Sequence, residues 1–170
     1  RVSGCVPDSV LSALRSQLES RDPQLLSAAA LALARMGDDV CAPRLAQLLD
    51  EPDPVLHSGV RLALETLCGL DLNQDGAAWA AWIERERDWS VERLPELERA
   101  CLAADPAVVP GAMEELVQHR LYRHQAAKAV LAMLNSSNTA VVCLACGVLP
   151  SLGSRSVVPR LRALAKSADS

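Results

Sequence analysis

The stretch DPQLLSAAALALARMGDDVCAPRLAQLLDEPD, from Asp22 to Asp53, decides the fold because it recurs without a gap as NTAVVCLACGVLPSLGSRSVVPRLRALAKSAD, from Asn138 to Asp169. In this alignment Gly37 falls on Gly153, and the Pro-Arg-Leu triplet of one copy falls on that of the other. Matched glycine, proline and leucine positions in one register indicate an internal repeat rather than a shared composition.

Each copy of the repeat predicts one helical hairpin. Asp22 and Asn138 are good N-caps, and Pro23 suits the first turn of the helix that follows. Gly37 allows the left-handed residue that ends this helix, and the second helix begins just before the shared proline. Apolar spacing of three and four predicts the inward residues Leu25, Ala28, Ala29, Ala32, Leu33 and Met36 on the first helix, and Leu45, Leu48 and Leu49 on the second.

Neighbouring hairpins must stack, because one hairpin cannot cover its own apolar face. Two more starts appear at Asp53-Pro54 and Asp105-Pro106, and the latter copy carries Pro110 inside its first helix. We therefore predict an all-α fold, an α-solenoid superhelix of about five stacked antiparallel helix pairs. We expect residues 1–170 to form a single domain with repeats near 6–21, 22–52, 53–90, 91–137 and 138–170. Because the chain begins with Arg1, we interpret it as a fragment of a longer one.

The composition agrees with a helical interior and restricts the partners. Half of the 170 residues are hydrophobic but only 2% are aromatic, which favours close-packed helices of Leu, Ala and Val. The formal net charge of -4 argues against a broad grip on nucleic acid, and no apolar run predicts a membrane span or a signal peptide. Most cysteines fall at inward helical positions, so we expect buried thiols in a reducing, cytoplasmic compartment. The six are Cys5, Cys41, Cys68, Cys101, Cys143 and Cys146.

The pattern Asp-Pro-x-apolar, followed by Ala-Leu, Gly-Asp and a second helix with Pro and Leu, resembles the HEAT repeats of the phycobilisome-lyase type. It is carried by Asp22, Pro23, Leu25, Ala29, Ala32, Leu33, Gly37 and Asp38, and again by Asp53, Pro54, Leu56, Val60, Ala63 and Leu64. The likeness covers about 22–69 and 138–169, and the insertion before Trp79 looks like a variant of bacterial members. The resemblance implies a binding scaffold, and for some members a tetrapyrrole (bilin) lyase. The family's usual Arg is replaced here by Leu26, His57, Val109 and Val142.

The segment from Asp71 to Gly76 looks like the opening of a calcium loop, with Asp71, Asn73 and Asp75 at alternate positions. Such a loop needs a bidentate Glu at its twelfth position, where this chain has Trp82. We therefore reject a metal site and predict a turn in which Asp75 caps the next helix. We expect neither a metal nor a cofactor.

Three tryptophans form one candidate binding surface. Trp79 and Trp82 are three residues apart and share a helix face, and Trp89 follows just beyond the next charged turn. If that face is exposed, it is the best protein-binding anchor in the chain. The alternative is that these side chains fill the gap between layers that the insertion creates.

The segment QHRLYRHQAAK concentrates cations around a short turn between helices and forms a second candidate surface. It could bind an acidic peptide, a phosphate or a nucleic-acid backbone. Alternatively, its positive charges could stabilise the negative end of the helix dipole and stay solvated. The residues are His119, Arg120, Tyr122, Arg123, His124 and Lys128.

Catalysis has no visible apparatus in this sequence. Cys143 and Cys146 form a Cys-Leu-Ala-Cys pair within a helix, where neither a second ligand pair nor a preceding strand supports zinc or redox chemistry, so we expect core packing. We predict a non-catalytic protein-interaction or scaffold module that uses a groove between second helices and the 119–128 turn. The alternatives are a bilin lyase or chaperone-like subunit, and nucleic-acid binding through that turn.

Overall fold

The computed structural model describes residues 6–72, 75–103, 105–153, 157–159 and 161–163. All regular secondary structure within these ranges is helical, so the prediction of an all-α fold is confirmed. The described residues divide into two compact units, one within 6–88 and the other within 89–163, and the division falls within one helix.

The first unit contains the first copy of the repeat, Asp22–Asp53, and the helices on either side of it. Its helices are α1 (Asp8–Ser16, extended by a 3₁₀ turn at Gln17–Glu19), α2 (Pro23–Met36), a 3₁₀ turn (Asp39–Cys41), α3 (Ala42–Leu48), α4 (Pro54–Cys68) and most of α5 (Gly76–Glu92). Helix α2 packs against both α1 and α4, and α3 packs against α4. Successive hairpins therefore stack in layers within this unit.

The predicted helix ends of the repeat are confirmed. The Asp22 carboxylate accepts hydrogen bonds from the amides of residues 24 and 25 at 2.9 and 3.4 Å. Asp53 does the same for residues 55 and 56 at 2.8 and 3.1 Å. Gly37 follows α2 with φ 73°, a left-handed conformation that glycine adopts without steric cost.

The buried face of α2 agrees with the predicted one only in part, because Ala29 and Leu33 are buried as predicted whereas Leu25 and Ala28 are exposed. Leu25 is 43% exposed, and Leu26, Ala30 and Ala34 are buried in addition to Ala29 and Leu33. Because α2 lies between α1 and α4, two neighbours rather than one define its buried surface, and the apolar stripe is broader and rotated. The inward residues predicted for α3, Leu45, Leu48 and Leu49, are buried as expected.

A partly buried ion pair joins α1 to the turn after α2. Asp38 is only 5% exposed, and its carboxylate accepts a hydrogen bond at 2.9 Å from Arg15 Nε. A second guanidinium nitrogen of Arg15 also contacts this carboxylate. The hydrogen bond to Asp38 raises the pKa of the Arg15 guanidinium, against the opposing effect of burial. Removing either partner would leave the other charge poorly compensated.

The second unit contains the end of α5, then α6 (Leu94–Ala103), α7 (Val109–Gln118), a 3₁₀ turn (Arg120–Tyr122), α8 (Arg123–Met133) and α9 (Thr139–Leu152). Residues 158–159 and 161–163 are also helical. Helices α6, α7 and α9 each contact α8, and α7 also packs against α9. Asn138 caps α9 by accepting a hydrogen bond at 3.0 Å from the amide of residue 140, as its repeat position predicts.

The degenerate copy that begins at Asp105 starts its helix later than expected. Asp105 accepts a hydrogen bond from the amide of Ala107 at 2.9 Å, which holds a turn over residues 106–108. Helix α7 begins only at Val109, so Pro110 lies in its first turn. Pro110 is therefore inside the helix as expected, but a first-turn proline does not disrupt it, because the amide that proline lacks would have no helical partner there.

Candidate functional site

A cavity of about 150 Å³ in the second unit brings together part of the predicted cationic segment. We call it the basic cavity. Its lining comes from the end of α7, from the turn before α8, from the first residue of α8 and from the end of α9. These lining residues are Val117, Arg120, Arg123, Ser151, Leu152 and Gly153.

Two buried leucines position the walls of the basic cavity. Leu121 is 2% exposed at the centre of the 3₁₀ turn, and Arg120 beside it is exposed. Leu152 is 3% exposed at the end of α9, and Gly153 then turns the chain with φ 60°. Each wall is therefore anchored by an apolar side chain that belongs to the core of this unit.

The charges of the basic cavity favour an anion. Arg120 and Arg123 contribute two guanidinium groups, Ser151 contributes a hydroxyl donor, and no carboxylate lies among the lining residues that the structure describes. Arg123 also stands at the N-terminus of α8, where the helix dipole is positive. The C-terminal end of α9 supplies an opposing dipole. The arginines therefore decide the preference, and they suit a carboxylate or a phosphoryl group.

The remaining residues of the predicted cationic segment lie outside this lining. Tyr122 and His124 are half-buried, and Lys128 is exposed on α8. His119 ends α7 and stacks on Trp89, with ring centroids 3.6 Å apart and planes at 9°. The segment is thus divided between the cavity, the surface of α8 and a contact with the end of α5.

Trp89 belongs to a polar cluster that sequence reasoning missed. Its indole Nε1 donates a hydrogen bond at 3.0 Å to Glu115 Oε1. Arg93 donates to the same carboxylate through Nε at 3.1 Å and Nη2 at 2.8 Å, and it also contacts Glu96. We call Trp89, Arg93, Glu115 and His119 the Trp89 cluster. The sequence signal was only an alternation of charges, which resembles any solvated helix face.

The Trp89 cluster shifts the pKa values of two of its members, Glu115 and Arg93. Hydrogen bonds from Arg93 and then from Trp89 hold the pKa of the Glu115 carboxyl below its ordinary value, although burial acts in the opposite direction. The same hydrogen bond to Glu115 raises the pKa of the Arg93 guanidinium. The cluster therefore ties α5 to α7 beside Trp89, whose side chain is half-buried.

The placement of Trp79 corrects the expectation that all three tryptophans offer a binding surface. Trp79 is fully buried, and the half-buried ring of Trp82 packs against it edge-on, with centroids 6.1 Å apart and planes at 86°. The aromatic ring of Trp79 fills the interior of the first unit, where its large apolar surface is removed from water. The alternative interpretation, in which tryptophan fills the space that the insertion creates, fits this residue.

The calcium-like segment has the predicted helix cap. Asp75 accepts a hydrogen bond at 3.1 Å from the amide of Ala78, so its role as the cap of α5 is confirmed. The Asp71 carboxylate lies 4.0 Å from Arg61 Nη1, and Asn73 lies outside the described residues. Over the part of the chain that the structure describes, no three or more His, Cys, Asp or Glu side chains are grouped to hold a metal ion.

A larger groove of about 330 Å³ lies in the first unit, where α2, α3 and α4 meet. Leu26, Leu48 and Leu56 contribute apolar surface, and charges of both signs surround them. Two of those charges are already engaged, because Arg44 Nε lies 3.1 Å from Glu19 Oε1 and Asp53 caps α4. The groove therefore has no preference for one sign of charge. Its polar lining residues are Ser20, Arg21, Arg44, Glu51 and Asp53.

The cysteines are not all buried as expected. Cys41, Cys68 and Cys101 are buried, whereas Cys143 and Cys146 are exposed on α9. The expectation of core packing for Cys143 and Cys146 is wrong, because the apolar residues of α9 exceed the surface that its neighbours cover. Cys5 lies outside the described residues.

In a comparison with known protein families, the match covers the part of the chain that contains the first copy of the repeat. Residues 4–65 match the family model described as HEAT repeats. This match supports a HEAT-repeat protein and agrees with the stacked hairpins of the first unit. No curated protein and no solved structure matches the chain. The phycobilisome-lyase type and a bacterial source stay predictions. Across the described residues, every helix is too short or too polar to span a lipid bilayer.

Proposed function

We propose that the chain is a non-catalytic protein-interaction module that holds an acidic group of its partner in the basic cavity. One observation carries the proposal: Arg120 and Arg123 line one cavity together with Ser151, and none of its described lining residues is acidic. HEAT repeats present their variable surfaces to other proteins and typically lack catalytic residues. The partner's acidic residue would accept paired hydrogen bonds from the guanidinium groups.

A protein partner explains the charge distribution better than a nucleic acid. The chain as a whole carries a net charge of -4, which repels an extended phosphate backbone. The basic cavity is small and local, so it suits a single anionic group. Nucleic-acid binding through residues 119–128 would instead predict retention on duplex DNA at low salt and a steep loss with added salt.

The bilin-lyase alternative rests on the family resemblance alone. It predicts a change in the absorbance spectrum of a bilin after incubation with the chain. An unchanged spectrum would remove this alternative and leave the interaction module in place.

The proposal is tested with a fluorescein-labelled poly-glutamate peptide as the probe, measured by anisotropy. Charge reversal by Arg120→Glu or Arg123→Glu should weaken binding by about tenfold or more, because a repulsive carboxylate then enters the cavity. The matched control is Lys128→Glu, which makes the same change of charge at an exposed position outside the cavity. We expect this control to weaken binding by no more than about threefold.

Equal losses in all three variants would contradict the proposal, since they would show a response to net charge rather than to the cavity. Circular dichroism of each variant checks that α8 is intact. Peptide binding that none of the variants changes would also contradict it.

A further inference from the structure

Cys143 and Cys146 place two thiols on one exposed face of α9. They are three positions apart, with two residues between them, within a continuous helix, Thr139–Leu152, and both are exposed. Residues at this spacing have β-carbons about 5–6 Å apart, and their side chains lie one above the other. Two sulfur atoms at this spacing can bind the same ion.

Cys143 and Cys146 are the only strong metal donors among the residues of α9. The helix TAVVCLACGVLPSL contains no charged residue and no histidine. Gly147 lies beside the pair, and a β-carbon added there would meet no atom within 4 Å, so the space over this face is open. The other described cysteines, Cys41, Cys68 and Cys101, are buried. No group of three or more His, Cys, Asp or Glu suited to a metal occurs in the described ranges.

A site with only two soft donor atoms favours a metal ion that is stable with two ligands. Zn²⁺ in structural sites takes four ligands in a tetrahedron, which this face does not supply. Thiolates are soft ligands that prefer Cu(I). We propose that Cys143 and Cys146 form a two-coordinate dithiolate site for a soft monovalent cation, Cu(I).

Binding at this site is a proton exchange without redox chemistry. Each thiol loses one proton, each sulfur donates an electron pair to the copper, and the products are a bis-thiolate Cu(I) complex and two protons. Copper enters and remains as Cu(I), so no oxidant or reductant takes part. The site uses residues outside the basic cavity and therefore does not depend on the proposed function.

The test is an anaerobic titration of the whole chain with Cu(I) in competition with the chromophoric chelator bicinchoninate. We expect one Cu(I) per chain, held by Cys143 and Cys146. In the variant Cys143→Ser with Cys146→Ser, the affinity should fall by at least about tenfold. A chain in which Cys5 is replaced by serine should bind as the parent does.

Two further variants separate the geometry of the pair from the number of thiols. Cys143→Ser with Thr139→Cys leaves two thiols on α9 but separates them by seven residues, about 10.5 Å along the axis, so the affinity should fall as in the double serine variant. Cys146→Ser with Ala140→Cys restores the three-residue spacing one turn earlier and should recover it. Both new positions are exposed in the parent.

Several results would overturn the inference. One is an unchanged affinity in the double serine variant, and another is full affinity in the variant with the seven-residue separation. A stoichiometry of one Cu(I) per two chains would also overturn it, since the thiols would then bridge molecules rather than chelate within one.

Discussion

Glu115 shows how one carboxylate can hold three side chains in place. It accepts hydrogen bonds from Trp89 and Arg93, while His119 stacks on the same indole ring. Because these hydrogen bonds stabilise the ionised form, the pKa of Glu115 lies below its ordinary value. A carboxyl with a depressed pKa in the folded state stabilises the fold above its ordinary pKa, and the stabilisation is lost as the pH falls through the folded pKa.

We predict that Glu115→Gln lowers the free energy of unfolding at pH 7 by at most about 1 kcal/mol, because Arg93 and Glu115 are partly exposed and solvent screens the pair. The difference between parent and variant should shrink below about pH 4, where the ordinary carboxyl is protonated. Urea unfolding at pH 7, 5 and 3.5 measures this. Glu114→Gln, at an exposed neighbouring position, is the control. The prediction fails if the difference between parent and Glu115→Gln is the same at all three pH values.

At the scale of helices, close approach of α2 and α4 depends on a glycine. A β-carbon built on Gly59 would lie 2.5 Å from both the β-carbon and the hydroxyl oxygen of Ser27. Rotation of the serine side chain cannot relieve a contact with its own β-carbon, so the helices would have to separate. Gly147 in α9 is the contrasting case, because a β-carbon there meets nothing within 4 Å.

We predict opposite effects for the same substitution at these two helical glycines. Gly59→Ala should lower the free energy of unfolding by about 1–3 kcal/mol through overpacking. Gly147→Ala should raise it by about 0.5–1 kcal/mol, since alanine favours the helix and has room. Chemical denaturation of both variants measures the two effects. Ser27→Gly should restore part of the loss in Gly59→Ala, and a Gly59→Ala protein as stable as its parent would contradict the packing argument.

At the scale of the whole molecule, the reactivity of the buried thiols measures how readily each compact unit opens. Cys41 and Cys68 are buried in the first unit, Cys101 in the second, and burial is the main reason that the pKa values of Cys41 and Cys101 are raised, that of Cys101 to about 11. Thiolates are the reactive form, so a raised pKa and a lack of access both slow alkylation. Cys143 and Cys146 are exposed and have no such protection of access.

We predict that iodoacetamide labels Cys143 and Cys146 in the native protein, while Cys41, Cys68 and Cys101 are labelled only as their units open. Mass spectrometry of peptides after timed pulses gives a rate for each site. The rates for the buried thiols should rise with urea in parallel with unfolding, and those for the exposed pair should hardly change. Labelling of Cys101 at the rate of Cys143 would show that the described core of the second unit is open.

The structural features that could be predicted correctly from the sequence are local ones, above all the helix caps. Asp22, Asp53 and Asn138 cap helices, Gly37 ends one, and Asp75 caps the Trp-bearing helix, because capping depends on a few adjacent residues. The repeat of these signals was enough to predict an all-α fold of stacked hairpins. The cationic turn was also visible, although the sequence did not show which of its residues share a cavity.

Tertiary packing decided which side chains are buried and which of them come together in a cavity or cluster. A period of three and four residues shows that a helix has an apolar face but not how many neighbours cover it, so Leu25 and Cys143 are exposed while Trp79 is buried. The basic cavity joins Arg120 and Arg123 to Ser151, which lies far along the chain, and the Trp89 cluster joins residues of α5 and α7. The sequence by itself determined most of the helix ends, since capping interactions are local, although α7 begins at Val109 and not directly after Asp105. Which side chains meet depends on contacts between distant segments, and these exist only once the helices have packed.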